Sequence, residues 1–349
     1  MQRCYRFGNG RHAVRVMQSF PALLPTTNPY LKQLFASVGE RVPVSLFSWS
    51  DAILGRFDVL HVHWPELLFR GRSRPRAALR QIAVLLILLK VRTTKRALVR
   101  TVHNVEPHEP GNTAERLLLR LIDRWTTLFV LLIPGDVPRT GAPSVLIPHG
   151  DYRAWFQDMA VPDSERGRFA YVGLIRAYKG VEQLVEAFAQ LPDPDARLRI
   201  VGKVQDPLIA AHITRALKAD IRMTAELRYV TDEEMAREVG AAELIVLPYR
   251  AMHNSGAALL ALSLRRPILV PSTAATEELA EEVGPHWVLR YHGELSADAL
   301  QTAWTALSTL GRLQPPILET RAWPHVAGAH VAAYERALNL RRSRRKRLR

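Results

Sequence analysis

Histidine and glutamate side chains follow two apolar segments in the first half of the chain. One segment ends in His61-Val62-His63-Trp64-Pro65-Glu66, and another ends in Thr101-Val102-His103-Asn104. An imidazole or a carboxylate placed beside a hydroxyl group can take its proton. The candidates for a general base are therefore Glu66, then His103, then His63.

Glycines and cations follow apolar segments in the second half. The segment Tyr171–Gly180 runs from a predicted strand into a predicted helix and contains Gly173, Arg176 and Lys179. Glycine lets a ligand approach the backbone, and cations beside a helix N-terminus favour a phosphate. Tyr249 precedes Asn254-Ser255-Gly256. This run offers a hydroxyl and free N–H groups to a diphosphate, although simple capping of the next helix explains it as well.

Two more segments are candidates for a nucleotide site. Lys203 follows a strand predicted over 198–201 and is placed to add charge for a phosphate. Val230 ends a strand predicted over 227–230, where backbone groups can meet the edge of a nucleobase. The alternative there is an N-cap at Thr231 or Asp232 for the following helix.

Apolar runs and helical patterns alternate along the chain. Strands are predicted at 12–19, 57–64, 97–103, 127–133, 145–149, 169–174, 198–201, 227–230, 244–248, 268–270 and 287–290. Helices are predicted at 30–38, 76–91, 113–125, 181–190, 207–219, 232–239, 255–264, 276–283, 297–310 and 326–340. Nearly continuous apolar strands that alternate with helices are typical of parallel sheets covered on both faces. The pattern predicts an α/β protein with ligand sites beyond the carboxyl ends of its strands.

The composition is that of a globular protein. A length of 349 residues predicts two domains, and an apolar content of 48% excludes a disordered chain. We expect no transmembrane helix, because the longest uncharged run, Val16–Leu31, is short and interrupted by prolines. No signal peptide is expected either, and the single cysteine, Cys4, excludes an internal disulfide framework. These features predict a cytoplasmic protein.

The positive charge lies in two segments. Ten basic and no acidic residues lie between Leu67 and Val105, and seven more lie within 341–349. Together they exceed the net charge of +15, so the rest of the chain is near neutrality. Such segments predict a polyanionic partner, either anionic lipid or nucleic acid. We favour a membrane surface and no nucleic acid, because aromatic and glycine residues do not alternate with the basic ones.

The apolar stretch 81–89 has basic residues at both ends. As a helix it is either a core helix with basic ends or a helix partly immersed in the membrane interface. The two interpretations are left open by the sequence.

Metal chemistry is a minor alternative. His63, His103, His108 and Glu66 are possible zinc ligands, but their spacing is not compact. The Asp-x-Asp motif at Asp193-Pro194-Asp195 precedes a strand, which favours a surface loop. We expect no metal and no cofactor.

The chain resembles glycosyltransferases of the GT-B fold, which have two Rossmann-like domains facing across a cleft. Tyr171-Val172-Gly173 with Lys179-Gly180-Val181 resembles the first donor-domain motif of the family-4-like group, and Arg199-Ile200-Val201-Gly202 resembles the second. Ala242–Pro248 resembles the strand before the phosphate-binding helix. The resemblance implies an acceptor domain over 1–150, a nucleotide-sugar donor domain over 165–325, and a C-terminal helix with a basic tail over 326–349.

Departures from the family pattern indicate the stereochemistry. Retaining members carry two glutamates where this chain has Met252 and Leu260, and Leu174 stands where an arginine usually follows the first glycine. The resemblance therefore implies an inverting enzyme, with a retaining UDP-sugar hexosyltransferase as the alternative. The histidine-rich and Asn-Ser-Gly segments are similar to bacterial exopolysaccharide enzymes of the GDP-mannose:glycolipid β-1,4-mannosyltransferase type.

That resemblance implies mannose transfer to a polyprenyl-diphosphate-linked oligosaccharide at the cytoplasmic face of the inner membrane. The nucleotide sugar is then a substrate, not a cofactor. The donor would contact Gly173, Arg176, Lys179, Lys203, Val230, Tyr249, Asn254, Ser255 and Gly256. The acceptor would contact Asn28, Trp64 and Asn104. Both basic segments, 70–100 and 341–349, would bind the anionic membrane surface.

Overall fold

A computed structural model shows two compact α/β units. It describes residues 13–24, 26–71, 73–103, 112–135, 140–250, 255–310 and 314–346, with side chains as far as 343. The first unit comprises Met1–Gly150 and Thr320–Arg349, and the second comprises Asp151–Glu319. Each unit has a hydrophobic core of its own.

The first unit contains a six-stranded parallel sheet. Its strands are β1 (Val16–Gln18), β2 (Val44–Ser45), β3 (Val59–Val62), β4 (Ala97–Val102), β5 (Leu128–Leu131) and β6 (Ser144–Leu146). Its helices are α1 (Pro29–Gly39), α2 (Trp49–Ile53), α3 (Glu66–Phe69), α4 (Arg74–Thr93) and α5 (Thr113–Trp125). The strand order is β2-β1-β3-β4-β5-β6. The chain reverses direction across the sheet between β1 and β3, and ligands of open α/β sheets bind outside the carboxyl ends of strands at such a point.

The second unit contains another six-stranded parallel sheet. Its strands are β7 (Arg168–Val172), β8 (Arg197–Val201), β9 (Met223–Glu226), β10 (Leu244–Val246), β11 (Ile268–Pro271) and β12 (Val288–Tyr291). Its helices are α6 (Arg153–Phe156), α7 (Val181–Ala189), α8 (Pro207–Ala219), α9 (Asp232–Ala241), α10 (Gly256–Ser263), α11 (Ala274–Val283) and α12 (Ala297–Thr309). The order β12-β11-β10-β7-β8-β9 is that of a dinucleotide-binding domain, and it reverses between β7 and β10.

A last helix, α13 (Trp323–Lys346), returns the chain to the first unit. The C-terminal segment over 326–349, expected as a separate element, therefore groups with the first unit. Arg41 donates to the Pro324 carbonyl at 2.9 Å, and Tyr334 is buried in the core that α1 covers. A Cβ atom at Gly150 would lie 2.6 Å from ring atoms of Trp323, so position 150 requires glycine.

The predicted α/β alternation is confirmed, with one strand misplaced. Leu227–Val230 is not a strand; β9 lies four residues earlier, where Met223 pairs with Leu198 and Glu226 with Val201. As the edge strand of its sheet, β9 is partly exposed and carries polar residues, so it lacks the apolar run that marks a buried strand.

Within the described ranges, no helix has the length and hydropathy needed to cross a bilayer.

Candidate active-site residues

Two glycines shape the carboxyl ends of β7 and β8. Gly173 has φ 134° and Gly202 has φ 150°, conformations that side-chain-bearing residues rarely adopt. A Cβ at Gly202 would lie 1.8 Å from the Gly173 carbonyl oxygen, so the two strand ends approach too closely for any side chain. A Cβ at Gly173 would meet nothing within 4 Å. The backbone there is thus open to a ligand.

Lys179 and Arg176 lie in the turn that follows β7. The Lys179 ammonium lies 3.5 Å from the centroid of the Tyr249 ring, a close cation–π contact. Burial, together with the nearby Arg176 charge, lowers the pKa of Lys179 to about 7. Arg176 Nε is buried, and no described residue accepts its hydrogen bond. Two cations without a carboxylate partner in the described structure form a site that an anion would complete.

The turn is held against the neighbouring strand by Gly180. This residue has φ 65°, and a Cβ there would lie 2.1 Å from the Pro248 carbonyl oxygen. Arg250 N–H donates to the Tyr178 carbonyl at 3.0 Å. These contacts join the segments that follow β7 and β10, the two strands at the reversal point of the sheet.

Ser255 caps the helix that follows β10. Its Oγ accepts from Ala258 N–H at 3.3 Å and lies 3.4 Å from the Tyr249 hydroxyl. Gly256 is the first residue of α10. The predicted N-cap is therefore confirmed, and it leaves the hydroxyl next to Tyr249, whose ring contacts Lys179. Asn254 lies outside the described residues.

The other predicted donor residues lie farther along the same sheet edge. Lys203 is exposed directly after β8, and Val230 is buried in the loop between β9 and α9. Thr231 caps α9 and forms a capping box with Glu234, as the alternative for this segment predicted. Because its side chain is buried, Val230 would contact a nucleotide mainly through its backbone groups.

In the first unit the structure brings His63 and His103 together. His63 Nδ1 lies 3.0 Å from His103 Nε2, and His63 Nε2 lies 3.2 Å from Gln18 Oε1. Ser19 Oγ accepts from the His63 backbone N–H at 2.9 Å and fixes the strand end. Both nitrogens of His63 are thus occupied, whereas no described residue bonds His103 Nδ1.

Trp64 covers the face of His103. Its ring stacks on the imidazole with centroids 4.0 Å apart and planes 17° apart. The backbone of Trp64 has φ 44°, a strained conformation for a bulky residue. Tyr30 contacts the same imidazole edge-on at 5.6 Å. The strained backbone of Trp64 therefore places its indole against the imidazole of a candidate base.

Burial keeps these imidazoles neutral. It lowers the pKa of His61, His63 and His103 well below the usual range, and neighbouring histidines lower each of them further. For His103, Arg100 adds to the same effect. At neutral pH each ring therefore carries one proton and one lone pair.

Glu66 begins α3, just after the Trp64 turn, and is half-buried. Its charge stabilises the Arg100 guanidinium, although burial lowers the pKa of Arg100 overall to about 10. Arg100 also pairs with Asp123. No described residue donates a hydrogen bond to the Glu66 carboxylate.

The predicted acceptor residues differ in their surroundings. Asn28 Oδ1 accepts from Tyr30 N–H at 2.9 Å and caps α1, so its oxygen is already used. Trp64 packs on His103 as described above. Asn104 lies outside the described residues, as does the possible zinc ligand His108.

Several residues of this cluster are not in the predicted site. Gln18 is a polar residue at the end of an apolar strand, a signal that the sequence did offer. His61 bonds Thr101 Oγ1 and the hydroxyl of Tyr334, each at 2.8 Å. Tyr334 comes from α13, and nothing local in the sequence connects it with β3. Among the described residues, no three His, Cys, Asp or Glu side chains are grouped to hold a metal ion.

Comparison with known proteins identifies the family. The family model of glycosyl transferases group 1 matches residues 166–306. A GDP-mannose:glycolipid 4-beta-D-mannosyltransferase of Xanthomonas campestris pv. campestris is 42% identical over 312 residues, which is 89% of either chain. The chain belongs to this glycosyltransferase family.

Solved structures agree with this glycosyltransferase in fold. AviGT4, a glycosyltransferase involved in avilamycin A biosynthesis, has a TM-score of 0.58 at 16% identity and covers 94% of this chain and 98% of its own. Anabaena HepE in complex with UDP and glucose has a TM-score of 0.57 at 15% identity and covers 97% and 99%. The glycosyltransferase therefore has the GT-B fold, as the resemblance implied.

Where retaining members carry their second glutamate, this glycosyltransferase has Leu260 in α10, and the side chain packs on the core of the second unit. Met252 lies outside the described residues. A leucine that packs against the core supplies no carboxylate at this position.

Proposed function

We propose that this glycosyltransferase transfers mannose from GDP-mannose to a polyprenyl-diphosphate-linked oligosaccharide in exopolysaccharide biosynthesis, with inversion at the anomeric carbon. The observation that carries the proposal is the 42% identity, over 89% of both chains, to an enzyme of that donor and acceptor class.

The donor site of the proposal is the edge of the second unit formed by the ends of β7 and β10. Arg176 and Lys179 supply two positive charges, and Ser255 with the start of α10 supplies hydrogen-bond donors. A nucleoside diphosphate leaving group gains negative charge in the transfer, and cations stabilise it. In this proposal the side chains do the work of a divalent cation, and the reaction needs no metal and no cofactor.

The acceptor side of the proposal is the first unit. An inverting transfer is a single displacement, so the acceptor hydroxyl must lose its proton to a base. His63 has both nitrogens occupied, which leaves His103 and Glu66 as the groups able to serve. Trp64, stacked on His103, is a predicted contact of the acceptor.

The test is transfer from radiolabelled GDP-mannose to a purified lipid-linked oligosaccharide, with UDP-glucose as the competing donor, in parallel reactions with and without EDTA. We expect a lipid-linked product whose new linkage is β by the one-bond C–H coupling of its anomeric carbon. An α linkage would support the retaining alternative. Transfer only from the UDP-sugar would discard mannose, and loss of activity with EDTA would discard metal independence.

Membrane binding at the cytoplasmic face of the inner membrane is a further part of the proposal, and α4 supports it. One face of α4 is in the core through Val84, Ile87, Leu88 and Val91. The opposite face is also apolar and exposed, and it consists of Leu79 (68% exposed), Ile82 (58%), Leu85 (37%), Leu86 (51%) and Leu89 (42%). One face of this stretch is therefore that of a core helix, and the exposed apolar face supports the proposal that the helix lies in the membrane interface.

Only part of the basic segment 70–100 is free to meet lipid phosphates. Arg74, Arg76 and Arg92 are exposed on α4, and Arg80 is exposed there too, although it donates to the Arg70 carbonyl. Lys90 instead donates to carbonyls at the end of α2, the nearest at 2.7 Å, and Arg100 pairs with Asp123. In the tail, Arg341 is buried and donates to the Val91 carbonyl at 3.1 Å. It thus holds α4 to α13, so Lys90, Arg100 and Arg341 bond within the protein.

Liposome flotation tests this part. Wild-type protein should float with vesicles containing phosphatidylglycerol, and Ile82→Asp with Leu86→Asp should abolish this. Leu208→Asp with Ile221→Asp is the matched control, because both residues are exposed apolar residues of the second unit (80% and 95%). Equal flotation of the α4 variant and wild type would contradict the interface. Salt-sensitive binding to RNA or DNA instead would support a nucleic-acid partner.

A further inference from the structure

A chain of hydrogen bonds determines which nitrogen of His103 is free. Gln18 is fully buried at the end of β1, and its Oε1 lies 3.2 Å from His63 Nε2. A carbonyl oxygen only accepts, so the proton of His63 must sit on Nε2. The lone pair of His63 is then on Nδ1, 3.0 Å from His103 Nε2. His103 must therefore donate through Nε2 and carry its own lone pair on Nδ1.

We infer that Gln18 and His63 are positioning residues, which hold His103 in its Nε2–H tautomer so that Nδ1 takes the proton of the acceptor hydroxyl. This inference rests on the proposed function. The hydroxyl O–H bond breaks, and its proton passes to His103 Nδ1. The oxygen electron pair forms the bond to the anomeric carbon, while the bond from that carbon to the diphosphate breaks and its electron pair leaves with the nucleotide.

The surroundings of His103 fit this role. Its ring is fixed on one face by Trp64 at 4.0 Å and on an edge by Tyr30 at 5.6 Å, so Nδ1 has a defined direction. It is partly exposed at the end of β4, whereas His63 is 3% exposed. An imidazole that is oriented by packing and by one hydrogen bond needs little reorganisation when it accepts a proton.

Gln18 also ends the chain of hydrogen bonds. An amide oxygen does not take up a proton, so charge formed on His103 is not passed inward beyond His63. The charged or titratable groups around His63 and His103 are His61, His149, His330 and Arg100. A positive charge on any of them disfavours protonation of His63 or His103. A carboxylate in place of Gln18 would accept the same hydrogen bond but would stabilise an imidazolium.

Nitrogen-15 NMR of histidine-labelled protein tests the tautomer without substrate. The His103 signals are assigned by their loss in His103→Gln. We expect wild-type His103 to carry its proton on Nε2. A proton on Nδ1 would overturn the inference whatever the activity of the enzyme, because the tautomer is read from the spectrum of the wild-type protein.

Kinetics test the consequence. Gln18→Met removes the acceptor and should lower kcat by about 10- to 100-fold, because a buried Nε2–H without an acceptor is disfavoured and most of the population then holds the wrong tautomer. The Kd for GDP-mannose should stay unchanged. Gln18→Glu should keep the tautomer and move the acid limb of the kcat profile to higher pH. Gln33→Met is the control, because Gln33 is a buried glutamine of α1 in the same unit.

Unchanged kcat and tautomer in Gln18→Met would overturn the inference, as would normal turnover in His103→Gln. A wild-type enzyme that transfers no mannose would instead overturn the proposed function, and the tautomer would still be decided by the spectrum. A loss of thermal stability alone in Gln18→Met, with wild-type kinetics, would show that Gln18 has only a structural role.

Discussion

Raising the pH through neutrality should weaken the binding of GDP-mannose, because Lys179 must be protonated to hold a diphosphate. Burial and the Arg176 charge lower the pKa of Lys179 to about 7 in the unliganded protein. A bound diphosphate places negative charge beside the ammonium and raises that pKa again. Binding therefore takes up a proton whenever the free protein has lost it, and affinity falls as the pH rises above 7.

The size of the effect follows from that pKa. The apparent Kd is proportional to a factor, one plus the ratio of neutral to protonated Lys179. This factor is about 1.3 at pH 6.5 and about 33 at pH 8.5. The Kd should thus rise about 25-fold over this interval, which corresponds to about 1.9 kcal/mol. Proton uptake at pH 7 should be about half a proton per molecule bound.

Isothermal titration calorimetry measures both quantities, with buffers of different ionisation enthalpy to count protons. GDP-mannose is the ligand, since its diphosphate stays fully ionised over this range. Lys179→Arg should keep the affinity but flatten its pH dependence, because arginine stays protonated. Lys203→Met is the control, since Lys203 is exposed on the same sheet edge and its loss should leave the steep pH dependence in place.

A wild-type Kd that changes less than about threefold between pH 6.5 and 8.5 would refute this reasoning. The same holds if Lys179→Arg shows the wild-type slope, because the proton would then belong to another group. Binding without net proton uptake at pH 7 would be equally decisive.

Three other predictions concern the two units. His103→Gln should lower kcat at least about 100-fold, and Glu66→Gln should lower it much less. Assays of kcat for both variants check this ranking, and the opposite ranking would show that Glu66 is the base. Gly180→Ala should destabilise the second unit by more than about 2 kcal/mol in urea, because its Cβ would lie 2.1 Å from the Pro248 oxygen at φ 65°; an unchanged midpoint would contradict that packing. Burial lowers the pKa of His149 and His330 to about 4, below the unfolded value near 6.5. Because the unfolded chain binds these protons first, the free energy of unfolding of the first unit should fall by about 1.4 kcal/mol per pH unit for each histidine between pH 6.5 and 4. A free energy of unfolding that does not change over that range would show that the two histidines are not buried in the neutral form.

The order of strands and helices follows from local pattern alone. Apolar runs such as Phe169–Val172 and Leu244–Leu247 are long and uniform because both faces of a parallel sheet are covered. Helix starts such as Asn112 and Thr231 are marked by capping side chains. These signals are contained in a few consecutive residues, so they could be predicted before any contact was known.

The candidate residues after each strand were also predictable, since the carboxyl edge of a parallel sheet is where its ligands bind. What they do there was not. His63 and Glu66 look equivalent in the sequence, yet one has both nitrogens occupied and the other lies near Arg100. The edge strand β9 was misplaced because its partial exposure removes the apolar signal.

The sequence by itself therefore determined the α/β class, most of the elements and the positions of Gly173, Lys179 and His103 at strand ends, because each depends on near neighbours in the chain. Only the tertiary structure decided that α13 returns to the first unit and that Gln18, 45 residues from His63, fixes its tautomer. It also decided which basic residues are exposed on α4 and which bond to other groups of the protein. These outcomes depend on contacts between distant segments, for which no local pattern of residues exists.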